Sequence, residues 1–261
     1  MKKIAALALA LCLTAVCACA LGEITVEKRD LSQNDALDRN VTNILVLLQD
    51  GETTDTMMIA SINGKTGRSV MTRLDCAMQL EVRDAGVVSL GEVYALGAKG
   101  SRGLLAVRTV NELLALNINT YVALDVGQLP EMVAAVGALN MELSEAEAEA
   151  MGVWAGISEL TDEAVLSYVR LRLDGDDPAR SRGYDALMQL LYQGLNSGDI
   201  FGLASLGQKM LGSMDTNLNP LTAMTLVTAV QGGEDRRELS LPGDAQNSRQ
   251  MREAFDREVY Q

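Results

Sequence analysis

Short continuous apolar runs and apolar residues at helical spacing alternate along this chain. Asn43-Ile-Leu-Val-Leu-Leu48 and Thr56-Met-Met-Ile-Ala-Ser-Ile-Asn63 are short, aliphatic and partly β-branched, as strands are. Gly64-Lys-Thr-Gly67 reads as a turn, Ser69-Val-Met71 as a further strand, and Leu80-Glu-Val-Arg83 as a short extended piece. Leu104, Leu105, Val107, Val110, Leu113, Leu114 and Leu116 then recur at helical spacing. Thr120 to Asp125 reads as a buried strand. Pro130 to Gly137 begins with proline and ends with glycine, the asymmetry expected of a helix. Asn140 to Leu143 is a short strand, and Ser144 with Glu147 forms a capping box before an Ala/Glu-rich helix. Thr161, followed by Asp162 and Glu163, opens a helix to about Arg170. Further helices are expected over Ser181–Leu195, Ile200–Leu211 and Pro220–Val230, the last stopped by Gly232-Gly233. Strands alternating with helices give an α/β class. The expected form is a single domain with a mixed central sheet and helices on both faces.

The ends carry a different pattern. Met1-Lys2-Lys3 is basic and Ile4 to Leu21 is uncharged and apolar, so residues 1–22 read as a signal peptide or membrane anchor. Ala18-Cys19-Ala20 fits cleavage after Ala20, and Val16-Cys17-Ala18-Cys19 fits a lipoprotein box that acylates Cys19. Uncleaved, the run reaches the roughly 20 apolar residues a single span needs. Each outcome places the remainder on the extracellular face of the cytoplasmic membrane, with the membrane as an N-terminal partner. Residues 23–40 read as a linker with a short strand at Glu23–Glu27. Residues 233–261 read as a polar extension ending in a surface helix over Gln246–Tyr260.

Composition narrows the chemistry. A hydrophobic content of 48% with 22% charged residues describes a folded protein. With aromatics at 3%, the core must be aliphatic. The net charge of −13 excludes nucleic acid as a partner on electrostatic grounds. Three of the four cysteines lie in the targeting run, leaving Cys76 alone and the exported part without an internal disulfide. There is no histidine, which excludes Ser-His-Asp triads, Cys-His pairs and imidazole metal sites. Any metal must take oxygen ligands, which points to Mg2+, Mn2+ or Ca2+.

Two segments concentrate chemistry. Asp50 and Asp55 stand where one predicted strand ends and the next begins, a place where metal and phosphate sites are often built. Asp50-Gly51 between apolar runs is equally a hairpin signal. Tyr168 to Arg182 holds four arginines, Arg170, Arg172, Arg180 and Arg182, in an acidic chain. Guanidinium grips phosphate in a bidentate way, whereas the plainer use of such arginines is pairing with surface carboxylates. If the chain is extended at Arg170 and Arg172, both side chains share one face.

The ordered set NILVLLQD…TDTMMIASIN, RLD, TVNELLALNINTYVALDV and LTDEAVLSYVRLR…DPAR resembles the LytR-CpsA-Psr family, from about Asn43 to Leu191 and more weakly to Tyr260. The resemblance places such a domain over residues 41–232. It implies an α/β/α sandwich with an apolar pocket for a lipid tail. It also implies an exported, membrane-associated transferase that moves a glycopolymer, such as teichoic acid or capsule, from a polyprenyl-pyrophosphate carrier to peptidoglycan. By the same resemblance Asp50 and Asp55 match the metal-binding aspartates, for Mg2+ or Mn2+, and Arg170 and Arg172 match the pyrophosphate arginines. Asp177 and Arg180 match the downstream Asp-x-x-Arg, and Asp75 matches the aspartate of an Arg-Asp pair. Asp75 or Asp177 would serve the acceptor hydroxyl. The family's arginine before the Thr-Asp pair is Thr53 here, and its lysine near residue 89 is Ser89. The arginine before Asp75 is Leu74, with Arg73 one place earlier, and a one-residue offset on a strand turns a side chain to the other face. Arg73, Arg102 and Arg182 are the cations available to replace the missing ones. The expected alternative is a catalytically weakened member that binds lipid-linked glycopolymer or wall-assembly partners.

Overall fold

In the computed structural model, described for residues 23–31, 34, 36–173, 181–196, 214–231, 235–241, 243–244 and 247–261, the two aliphatic runs become β1 (Val41–Asp50) and β2 (Thr53–Asn63). They form an antiparallel hairpin. Its two-residue turn needs the left-handed backbone that Gly51 supplies at φ 68°. The central sheet adds β3 (Ser69–Leu74), β6 (Thr120–Asp125), β9 (Asp215–Thr216) and β10 (Arg236–Ser240), in the order β10-β3-β2-β1-β6-β9. The β1–β6 and β10–β3 pairs are parallel and the rest antiparallel, so the sheet is mixed, as expected. Two short hairpins lie outside it: β4 (Gln79–Val82) with β5 (Gly86–Ser89), and β7 (Leu139–Leu143) with β8 (Gly156–Leu160).

Because side chains alternate across a strand, β1 feeds two cores. Leu45 and Leu47 join Met57, Ile59, Val70 and Leu74 on one face. There they pack under α1 (Arg102–Leu114) and α7 (Ser248–Val259) through Leu105, Val110, Met251 and Phe255. Ile44 and Leu48 join Met58, Ala60 and Met71 on the other face. The helices there are α2 (Leu129–Val136), α4 (Asp162–Val169) and α5 (Arg182–Asn196), which contribute Leu129, Val165 and Leu187. The result is an α/β/α sandwich. Between β7 and β8 runs α3 (Glu145–Met151), capped as expected by Ser144 and Glu147. The sandwich also receives Val230 of α6 (Pro220–Gln231).

Three expectations change. Ile24 and Val26 are buried in the first core, and Glu23–Glu27 makes a single parallel bridge, Ile24 to Gly97, instead of a strand ladder. The stretch read as a polar extension supplies an edge strand, β10, whose charged residues hide its strand character and suit an edge position. The terminal helix α7 is not superficial: Met251, Phe255 and Val259, four residues apart, form a buried stripe. The helix expected over 200–211 lies outside the described residues.

The pairing gathers one end of the sheet. The end of β1, the start of β2, and the ends of β3 and β10 adjoin, with Asp50 opposite Thr53, Leu74 opposite Met57, and Ser240 opposite Arg73.

Candidate functional site

The site is built on an irregularity in the β1–β2 ladder. Leu48 pairs with Thr56 and Gln49 with Thr54, so Asp55 is the extra residue of a β-bulge. A bulge breaks the two-residue alternation and re-aims a side chain. Here Asp55 and its neighbour Thr56 both turn toward the start of α5. The Thr56 hydroxyl donates to Asp55 Oδ2 at 3.0 Å, and its oxygen lies 2.7 Å from Ser181 Oγ. Gly183 completes this contact: a Cβ there would overlap the Asp55 carboxylate and sit 2.8 Å from Leu48 Cδ2. Only a residue without a side chain lets α5 approach so closely.

The two aspartates and the two arginines meet across 117 and more residues of chain. Arg170 donates through Nε and Nη2 to Asp50 Oδ1, at 3.2 and 2.9 Å. Arg172 donates through Nη2 to Asp55 Oδ1 at 3.1 Å. Arg170 is the helical C-cap of α4, not part of an extended pair, so each guanidinium reaches its own carboxylate. The arginines are half-exposed, and such pairs contribute little to stability.

Arg182 is corrected from its expected role. It is buried, 6% exposed, and its Nε donates to Oε1 of the equally buried Glu147 at 2.8 Å. Its Nη1 donates to the Leu171 carbonyl at 3.1 Å, between the two phosphate-site candidates. Arg182 therefore braces the Arg170–Arg172 segment from behind, with its Nε and Nη1 committed to Glu147 and Leu171. Arg102 also stays away, stacked 6.0 Å over Tyr94. Asp177 and Arg180 lie outside the described residues.

Beside Asp55 opens a cleft of about 640 Å3 lined by Thr53, Thr56, Arg73, Asp75, Ser89 and Ser181, with Leu241 and Gly243 from the segment after β10. Asp50, Arg170 and Arg172 are outside this lining, and Asp55 joins the two parts. Among the described lining residues Arg73 is the one cation; Thr53 and Ser89, at the positions of expected basic residues, offer hydroxyls. Leu74 is buried in the first core and Arg73 lies on the opposite face of β3, and both line the cleft at the end of the strand. The one-residue offset thus leaves the cation facing the site. Asp75 accepts from the Ala77 amide at 2.9 Å, while Gly243 packs against its other oxygen so closely that a Cβ would overlap it. Between Asp55 and Asp75 sits Cys76. Burial first, then these two carboxylates, push its thiol up to about 12, so it remains protonated, as a structural residue does.

In donor chemistry alone, the carboxylates of Asp50 and Asp55 would suit a hard divalent cation. Asp50 and Asp55 present carboxylate oxygens on adjoining strands, and Mg2+ is usually held by one or two carboxylates together with phosphate oxygens and water. Among the described residues no group of three or more acidic or thiol side chains is arranged to hold a metal. The pair would need a phosphate ligand to complete coordination.

Thr56, Ser181, Gly183, Tyr184, Glu147 and Gly243 were not legible as site residues. They become so only through the bulge and through contacts distant in sequence, the shortest being the 35 residues between Glu147 and Arg182.

Comparison with known proteins bears on the family and the fold. The chain is 24% identical over 183 residues to biofilm regulatory protein A of Streptococcus mutans, covering 63% of this chain and 44% of that protein. It is 23% identical over 212 residues to the polyisoprenyl-teichoic acid–peptidoglycan teichoic acid transferase TagU of Oceanobacillus iheyensis, covering 76% and 65%. The chain thus spans roughly half to two-thirds of the length of these relatives. Its fold matches that of Bacillus subtilis TagT with bound octaprenyl pyrophosphate lipid, with a TM-score of 0.64 and 17% identity over 93% of this chain and 98% of that one. The LytR_cpsA_psr family profile matches residues 22–256, and the chain belongs to that family.

Proposed function

We propose that this chain transfers a glycopolymer from a polyprenyl-pyrophosphate carrier to peptidoglycan by Mg2+-assisted phosphoryl transfer, from the extracellular face of the cytoplasmic membrane. The observation that carries the reading is the two ion pairs Asp50–Arg170 and Asp55–Arg172 at the β1–β2 turn end, with Asp55 also lining a cleft that holds Arg73 and Asp75. Carboxylates for a metal and guanidinia for phosphate then stand within one site. The pyrophosphate lipid bound by a protein of the same fold supports the ligand class. The apolar run at residues 4–21 supports export. Among the described residues no helix is long and apolar enough to cross a membrane.

In this reading Asp50 and Asp55 would hold Mg2+, which when bound neutralises charge on the pyrophosphate oxygens. Arg170 and Arg172, half-exposed and held by single carboxylates, exchange those partners for phosphate oxygens and stabilise the leaving phosphate. An acceptor sugar hydroxyl forms a bond to the polymer-bearing phosphorus. The bond from that phosphorus to the bridging oxygen breaks, and the bridging oxygen leaves with polyprenyl monophosphate. Asp75, oriented by the Ala77 amide, takes the hydroxyl proton.

A second reading, a weakened family member that binds the lipid-linked polymer, is favoured by Thr53 and Ser89 standing where cations are expected. Each missing charge-stabilising donor costs about 2–4 kcal/mol of transition-state stabilisation. Transfer of a labelled lipid-pyrophosphate oligosaccharide onto peptidoglycan fragments, with and without Mg2+, separates the two. Metal-dependent transfer supports the first; binding without transfer supports the second; neither overturns both.

A further inference from the structure

We propose that Tyr184, held by Glu238, is the positioning residue that fixes Arg73 as the phosphate-facing cation of the cleft. The proposal rests on the pyrophosphate reading and deepens it. Unlike Arg170 and Arg172, Arg73 has no carboxylate within ion-pair distance among the described residues. Its guanidinium lies instead 5.5 Å from the centroid of the Tyr184 ring. A ring face attracts a cation without consuming its N–H donors, so those donors stay available to a ligand in the cleft that Arg73 lines.

The ring is itself held. The Tyr184 hydroxyl donates to Glu238 Oε2 at 2.9 Å, and Tyr192, two turns further along α5, donates to Oε1 at 2.9 Å. Glu238 stands opposite Met71 in the β10–β3 pair, and Ser240 opposite Arg73, which puts carboxylate and guanidinium on the same face. Tyr184 is buried, and burial with the Glu238 contact keeps its phenol protonated, hence a donor. Gly183 seats the same turn of α5 against Asp55. One turn of helix thereby sets both an anionic and a cationic member of the site. The clamp also gives a reason why the offset from position 74 to 73 is tolerated: the cation is delivered from β3 and aimed by α5.

Two measurements on the full chain test this. In the free protein, the Arg73 Nε–H resonance, identified by its loss in Arg73→Lys, is expected upfield of ordinary arginine because of the ring current. It returns to the ordinary position in Tyr184→Leu and moves partway in Tyr184→Phe, which keeps the ring but not its anchor. Calorimetric binding of geranylgeranyl pyrophosphate with Mg2+ is expected to weaken about threefold to tenfold in Tyr184→Leu, the range of a partly desolvated cation–π contact. In an Arg73→Ala background Tyr184→Leu should cause no further loss, because Tyr184 acts through Arg73. An unshifted wild-type resonance, or full additivity of the two substitutions, overturns the clamp. A shifted resonance in a wild-type chain that does not bind the probe keeps the clamp and overturns the pyrophosphate reading.

Discussion

Replacing Arg182 by alanine separates a structural arginine from a phosphate-binding one. Its partner Glu147 is 1% exposed, and the two side chains meet at 2.8 Å. Ser144 also serves Glu147, donating to Oε2 through its amide at 2.9 Å and its hydroxyl at 2.8 Å. Arg182→Ala leaves those donors but removes the guanidinium at 2.8 Å, so the carboxylate keeps its burial and loses that ion pair. Breaking a buried pair in this way costs about 3–5 kcal/mol. At about 2–4 °C per kcal/mol for a domain near this size, Tm should fall by about 6–20 °C. Thermal unfolding followed by circular dichroism at neutral pH measures this. The double variant Arg182→Met with Glu147→Leu should recover most of the loss, because an apolar pair of similar volume carries no desolvation penalty. If Arg182→Ala leaves Tm unchanged while abolishing binding of a prenyl pyrophosphate, the buried-pair reasoning is wrong and Arg182 belongs to the phosphate site.

Asp50→Ala and Asp55→Ala should each leave unfolding within about 1 kcal/mol of wild type, since their arginine partners are exposed, yet abolish Mg2+-dependent transfer; retained transfer sinks the metal assignment. Gly183→Ala forces Asp55 or α5 to move on the order of 1 Å, and such a misplacement costs about 100-fold in rate; unchanged turnover would show that the close approach is irrelevant. Folding raises Cys76 to about 12, Tyr192 to about 12, and the phenols of Tyr94, Tyr121 and Tyr184 above their ordinary range. The folded chain therefore holds protons that the unfolded chain releases, and this stability is complete below about pH 8.5 and lost as pH climbs through about 12. An unfolding midpoint flat between pH 8.5 and 11.5 would contradict that sign. By the same shift only about one Cys76 in several thousand is thiolate at pH 8.5, so peptide-resolved iodoacetamide labelling of the folded chain should spare it.

The amino-acid pattern by itself determined the class of the fold and most of its elements. The continuous apolar runs Ile44–Leu48 and Met57–Ile62, and the helical period in Leu104–Leu116, are local consequences of which faces must be dry: both faces of a central strand, one face of a helix. The ordered Asp50, Asp55, Arg170 and Arg172 also marked the family before any contact was visible. Where local pattern and environment disagree, the sequence misleads. The charged strand β10 lacks alternation because an edge is solvated. Arg182 looks like its phosphate-binding neighbours because nothing local announces that Glu147 is buried beside it. The aim of Asp55 depends on a bulge in the β1–β2 register, and that of Arg73 on a tyrosine 111 residues away, anchored by a strand further still. Such placements depend on long-range pairing, which no local propensity encodes, so only the tertiary structure decided which charges face the cleft and which hold it up from behind.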